Sequence, residues 1–246
     1  YIIINDIDNI MEPNFLNEIN NTCITNPDIV QGHRIAKNTN NEYAILDAIS
    51  EEINNTIFRK AHVKIGLSSA LIGSGFATKA SLFKDTINSC EAVGGFDKEL
   101  EVKFLSNNHH ILYAHNAFIF DEKTDNPQNF EKQRLRWISA QIFYFRKHFF
   151  NSVKSLLINR NMDYFEKIIQ FALLPRVIML GLSIIIIPIS ALLFPQPFST
   201  LLWTLHLILL FTSLALATPT KYRNSETLKS LLLIPHIIKS HFILSR

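Results

Sequence analysis

Cysteine, glycine and charge are all scarce in this 246-residue, 28.3 kDa chain, and each scarcity removes a class of protein. The two cysteines, Cys23 and Cys90, lie far apart and in no CxxC or Cys/His spacing, so neither a disulfide scaffold nor a zinc site is supported and both read as free, reduced thiols. Charged residues make up 18% of the chain against 48% apolar ones, which excludes a disordered or low-complexity protein and turns attention to where the apolar excess lies. The first residues, YIIINDIDNIM, have an apolar start but no basic segment and no small-residue cleavage site, so they do not read as a signal peptide. The length suits one ordinary domain with a small appendage, and no internal repeat is visible.

The apolar excess sits late in the chain. Val177 to Phe194 and Thr200 to Ala217 carry no charge, and each approaches the roughly 20 residues a helix needs to cross a bilayer. Two such runs in succession favour a transmembrane pair over two buried helices of a soluble core, and Pro195 to Ser199 leaves room only for a tight turn. Basic residues flank the hairpin on both sides: Arg146, Lys147, Lys154, Arg160, Lys167 and Arg176 before it, and Lys221, Arg223, Lys229, Lys239 and Arg246 after it. The turn itself is uncharged, so the positive-inside rule predicts an integral protein of the inner or plasma membrane with both flanks cytoplasmic. A net charge of +3 then reflects a basic belt facing membrane lipid, and nucleic acid is not needed as a partner.

Residues 1 to about 140 read as an α/β segment. Tyr1 to Ile4 is a short β-branched run that exits into the polar loop Asn5 to Asn9, the end of a strand where open α/β sheets bind ligands. Glu42 to Asn55 has the spacing of an amphipathic helix, while Ile111 to Tyr113 and Ala117 to Phe120 read as two short strands. Five of the seven glycines, Gly66, Gly73, Gly75, Gly94 and Gly95, cluster where backbone must approach something closely or take positive φ. Glu131 to Phe150 reads as a helix whose aromatic residues interleave with Arg146, Lys147 and His148, either a core helix with a solvated face or a helix in the headgroup region, the second being favoured because the apolar spans follow closely. A further amphipathic segment spans Tyr164 to Leu174, and Leu228 to Leu244, broken by Pro235, reads as an interfacial helix in preference to a poor third span. The expected division is 1–140 catalytic, 141–175 interfacial helices, 176–217 two transmembrane helices and 218–246 a cytoplasmic or interfacial tail.

Three signals carry chemistry. Asp6 and Asp8 frame a DxD at a strand exit, where two carboxylates can share a hard divalent cation that also grips a diphosphate, although Asp and Asn are also ordinary turn formers. Asp97, Glu99 and Glu101 follow the pair Gly94 and Gly95 at the start of a predicted helix, where one of them can act as a general base or the group can simply favour the helix N-terminus. Gln133-Arg134-Leu135-Arg136-Trp137 combines guanidinium forks suited to phosphate oxygens with an indole suited to a sugar ring.

In this order the motifs resemble the membrane-integrated glycosyltransferases of family 2, the group with cellulose, hyaluronan and chitin-oligosaccharide synthases and ceramide glucosyltransferase. Those enzymes carry an Asp, then DxD, then a base Asp, then (Q/R)xxRW in a cytoplasmic GT-A domain, followed by interfacial and transmembrane helices. Here the matching residues are Asp6 and Asp8, Asp97, and Gln133 to Trp137, with Asp97 lying 36 residues before Gln133. Leu71 to Phe76 resembles the glycine-rich loop near the acceptor, with Gly73, Ser74 and Gly75 at its centre. The resemblance implies an α/β fold in which part of a GT-A, Rossmann-like nucleotide-sugar domain precedes amphipathic interfacial helices and a transmembrane hairpin. It further implies inverting transfer from a nucleotide-sugar, a UDP-sugar, to a glycan acceptor. In that scheme Asp6 and Asp8 hold Mg²⁺ or Mn²⁺, Arg134 and Arg136 contact the diphosphate, Asp97 is the base, and Trp137, Gln133 and the glycine loop bind acceptor.

The family's usual Glu before the base is Phe96 here, which leaves Asp97 and Glu99 as alternatives, with the spacing favouring Asp97. The chain opens on the DxD strand, so it is expected to be the C-terminal part of a larger enzyme. Two other readings stand beside a polysaccharide synthase: a single-transfer enzyme acting on a lipid, and a non-catalytic membrane remnant or partner subunit. Thr218 to Tyr222 is at best a loose echo of the gating segment of extruding synthases. His206 in the second apolar run is expected to bond within the helix pair, and His109 and His110 to be solvated in a turn.

Overall fold

The computed structural model describes residues 1–91, 95–124, 126–193 and 197–231. They form two compact units, Tyr1–Ala172 and Leu173–Arg246.

The first unit is a five-stranded sheet covered by helices on both faces. In chain order it contains β1 (Ile2–Ile4), β2 (Ile10–Met11), α1 (Phe15–Cys23), β3 (Ile29–Ala36) and α2 (Glu42–Asn54), which runs on as a π-helix, Asn55–Ala61, and a short turn, α3 (His62–Lys64). Then follow β4 (Phe76–Thr78), α4 (Ala80–Ile87), α5 (Phe96–Ser106), β5 (Ile111–Asp121), α6 (Pro127–Asn159) and α7 (Met162–Ala172). The strand order is β1-β4-β3-β5-β2, with β3 and β5 parallel and the other pairs antiparallel.

Period-two alternation divides the core between the two faces. Ile29 and Phe76 point into a cluster with Leu100, Phe104, Ile111, Tyr144 and Ile168, while their neighbours Val30 and Ala77 join Phe15, Ile19, Ala117 and Ile119 opposite. Cys23 and Cys90 are free thiols packed against these two clusters. This α/β architecture is compatible with a GT-A-like domain.

Several elements differ from expectation. The two strands expected at 111–113 and 117–120 are one strand, β5, in which Gly32 pairs with Ala114 but His33 pairs with Phe118. The three intervening residues form a bulge, and exposed His115 and Asn116 there break the apolar alternation that a sequence reading follows. The boundary expected at 140 falls inside α6, a 33-residue helix. Its start is set by Asn126, whose side chain accepts from the Gln128 and Asn129 amides at 2.9 and 3.3 Å, and by Pro127 in the first turn. Residues 141–172 do not form a separate layer: Tyr144 of α6 and Tyr164, Ile168 and Phe171 of α7 belong to the main core, while Phe150, Leu157 and Ile158 stay exposed.

His109 and His110 are also not simply solvated. His109 Nδ1 lies 2.7 Å from Asp28 Oδ2, and His110 Nδ1 lies 2.8 Å from Asp163 Oδ2, both partners coming from elements distant in sequence.

The second unit holds α8 (Arg176–Leu193), α9 (Pro197–Ala217), a 3₁₀ turn (Thr220–Tyr222) and α10 (Ser225–Leu231). Arg176–Leu193 and Phe198–Ala217 are long and apolar enough to cross a membrane. Ser190 Oγ meets Ser199 Oγ at 3.0 Å, a polar contact between the two helices. Pro197 and Phe198, expected in the turn, open α9, because proline suits the first turn of a helix. Phe194 to Gln196 lie outside the described residues, as does the expected interfacial segment beyond Leu231. His206 packs edge-on against Trp203 one turn away, with ring centroids 5.8 Å apart.

Candidate active site

The site is assembled around a buried glutamine. Gln31 on β3 is fully buried; its amide donates to the carbonyls of Gly32 (3.1 Å), Ser74 (3.0 Å) and Gly75 (3.3 Å), and its oxygen accepts from the Ile72 amide at 2.9 Å. Gly32 N–H reinforces this by donating to Gly75 at 2.8 Å. Upstream, Glu101 of α5 accepts from the Leu71 amide (2.8 Å) and from Lys167 of α7 (2.7 Å). The turn Gly73-Ser74-Gly75 is thus held from both sides before any ligand arrives.

That turn joins two of the three expected motifs. Ser74 is fully buried; its hydroxyl accepts from the Asp6 amide at 3.0 Å and from Asn9 Nδ2 at 2.7 Å, and donates to Asn5 Oδ1 at 3.3 Å. Asn5 Nδ2 closes the loop by donating to the carbonyls of Asp6 and Asn9, both at 3.0 Å. Gly73, at φ +84°, lies so close to Asp97 that an added Cβ would sit 2.7 Å from the Asp97 Cβ, and one on Gly95 would sit 2.8 Å from Asp97 Oδ1. Both contacts demand glycine, which explains part of the glycine cluster. Gly94 lies outside the described residues.

The carboxylates separate by environment. Asp97 sits in the first turn of α5 with its side chain 29% exposed and Lys98 Nζ 3.8 Å away. It does not cap the helix, since Gly95 holds that position. Glu99 is 4% exposed and its carboxylate is occupied: both oxygens accept from the Glu91 amide, at 3.1 and 3.0 Å, and Lys103 Nζ lies at 3.1 Å. Asp6 has its carboxyl pushed above its ordinary value, by desolvation first and by Asp8 next, with Asp121 and Asp97 adding to the effect and Arg34 opposing it. Four carboxylates and one arginine therefore share the field at the DxD loop.

Among the described residues no cluster of three or more His, Cys, Asp or Glu is placed to hold a metal. Two mutually repelling carboxylates nevertheless suit Mg²⁺ or Mn²⁺, which commonly take one or two protein carboxylates and complete their shell with substrate phosphates and water.

On α6 the third motif divides by role. Arg134 forms an ion pair with Asp47 of α2, and its guanidinium lies 4.9 Å from the ring centroids of both Phe130 and Trp137. Arg136 is exposed and, with Thr124, Asn129, Lys132 and Gln133, lines an open cavity of about 340 Å³. Gln133 Oε1 is buried there without a hydrogen-bond partner among the described residues. A chain of charges runs from this motif toward the DxD loop: Lys123 lies 4.0 Å from Asp47, 2.7 Å from Asp121 and 3.7 Å from Glu51, and Arg34 bonds Glu51 at 2.7 Å and approaches Asp121 at 3.8 Å. Burial alone would raise Glu51, but Arg34, Arg59 and Lys123 outweigh it and hold the carboxyl far below its ordinary value. Gln31, Asp47, Asp121 and Lys123 escape a sequence reading; only Asp121, at the carboxyl end of a strand, carries a positional signal.

On this α/β sheet, one glycine turn bonds the DxD strand exit and packs against Asp97. The sequence matches the profile of glycosyl transferase family group 2 over residues 1–215, and the chain belongs to that family. Among curated proteins none matches this chain closely. Membership fixes the class of reaction as glycosyl transfer, from a nucleotide-sugar donor to an acceptor.

Proposed function

We propose that the protein transfers a sugar, with inversion, from a UDP-sugar to a glycan acceptor at a membrane. The observation that supports this reading most is the Gly73-Ser74-Gly75 turn, which bonds the Asp6 amide while packing against Asp97. Donor diphosphate and acceptor hydroxyl can then meet over a single loop.

Asp6 and Asp8 would hold Mg²⁺ or Mn²⁺, which offsets the charge developing on the departing diphosphate. Arg136 and Lys132, both lining the cavity on α6, would add positive charge at the same oxygens, and Gln133 brings an amide oxygen with no partner among the described residues for a substrate hydroxyl. Arg134 is committed to Asp47 and contributes by position. Asp97 takes the proton from the acceptor hydroxyl as that oxygen attacks the anomeric carbon from the face opposite the diphosphate, so configuration inverts. Glu99, with its oxygens filled, is the weaker candidate for that proton. Trp137 stacks the acceptor ring. The two apolar helices hold the reaction at the bilayer.

The test is UDP release and product formation by membranes carrying the full natural chain, over a panel of UDP-sugars with Mg²⁺ or Mn²⁺, comparing parent with Asp97→Asn. A loss of about 10²–10⁴-fold in the variant, and on chelation, is expected from removal of a general base. Equal rates for parent and variant, with both folded, would remove the catalytic role of Asp97.

A further inference from the structure

Phe130, Arg134 and Trp137 form one stripe on α6, spaced four and three residues apart, so their side chains meet on a single helix face. The guanidinium lies over both rings. A long arginine side chain would ordinarily sample many rotamers; this one is fixed from outside its own helix by Asp47, which stands 87 residues earlier, on α2. Asp47 is itself nearly buried and sits between two cations, Arg134 on one oxygen and Lys123 on the other. The guanidinium thus covers one face of the indole.

We infer that Asp47 is a positioning residue for Trp137: by pinning Arg134 over one face of the indole it fixes the opposite face for the acceptor sugar. This inference rests on the reading that Trp137 stacks acceptor, and it assigns a role to a residue outside all three motifs. Asp47 touches neither donor nor acceptor. Its loss frees Arg134, and the indole loses both its cover and its orientation.

The chain has two tryptophans, so Trp203→Phe leaves Trp137 as the sole indole emitter. In that background Asp47→Asn should raise acrylamide quenching of Trp137 without any substrate present. With UDP-glucose and cellobiose, or UDP-N-acetylglucosamine and chitobiose, as donor and acceptor probes, the variant should raise the acceptor KM about tenfold while the donor KM stays within about twofold. The double variant Asp47→Asn with Arg134→Gln should be no worse than Asp47→Asn alone, because the two groups act as a unit. If Asp47→Asn folds poorly, Asp47→Glu, which keeps charge beside Lys123 but displaces the carboxylate, is read in the same way.

Transfer intact with quenching and acceptor KM both unchanged overturns the inference and leaves the transferase reading standing. Additive losses in the double variant do the same, by showing that Asp47 acts elsewhere than through Arg134. Absence of transfer in the parent, with quenching still responsive to Asp47, overturns the acceptor reading while the pinning of Trp137 stands.

Discussion

Replacing Gln31 by methionine keeps the length and volume of the side chain and removes only its amide. The effect follows from the four bonds that amide makes. The Gly75 carbonyl keeps the Gly32 N–H at 2.8 Å and the Gly32 carbonyl lies within the β3–β5 ladder, so the groups left without their partner are chiefly the Ile72 amide and the Ser74 carbonyl. An unsatisfied buried polar group costs about 1–3 kcal/mol, so two cost about 2–6 kcal/mol, with relaxation of the turn favouring the lower half. For a protein of this size each kcal/mol shifts the unfolding midpoint by about 2–4 °C, giving a fall of roughly 5–15 °C. Thermal unfolding of detergent-solubilised protein, followed by intrinsic fluorescence, measures it. Activity should fall further than stability, because the same turn bonds the Asp6 amide and packs on Asp97. A variant with an unchanged midpoint and full UDP release would refute the view that Gln31 anchors the turn.

Gly73→Ala should keep the fold, at about 1 kcal/mol for the left-handed backbone, while the added methyl displaces Asp97 and lowers the transfer rate about a hundredfold; initial rates beside circular dichroism separate the two effects. Asp163 offers a pH test. Burial would raise its carboxyl, but bonds from His110 (2.8 Å), the Ser68 hydroxyl (2.6 Å) and the Ser68 amide (2.9 Å) outweigh that and hold it below its ordinary value. A carboxyl depressed in the folded state stabilises above its unfolded pKa and loses that contribution as pH falls through the folded value. The midpoint difference between parent and Asp163→Asn should therefore be full above the ordinary carboxylate range and shrink as pH falls through and below it, as unfolding scans in acid would show.

The candidate site was legible as a set of short local patterns. DxD at a strand exit, a glycine-rich turn, a carboxylate after glycine and QRLRW each lie within a few residues, and the structure does bring the first three together. Between Asp97 and Glu99 the sequence offered only motif spacing, which favours Asp97. The two carboxylates lie two positions apart in one helix turn, and only the Glu91 amide and Lys103, bonded to Glu99, separate them. The role expected for Arg134 met the same limit, since its partner stands 87 residues away on another helix.

The sequence by itself determined the α/β alternation, both apolar helices and the motifs from which the candidate reacting groups are drawn, because hydrophobic period and motif spacing are properties of neighbouring residues. Tertiary structure decided which polar side chains are already bonded and which stay open. It made one bulged strand of β5, drew α7 into the core, filled the carboxylate of Glu99 and left Asp97 half open. The physical reason is that burial and hydrogen-bond partners come from elements remote in the chain. They, and not residue type, set whether a charge is free to act or is already satisfied.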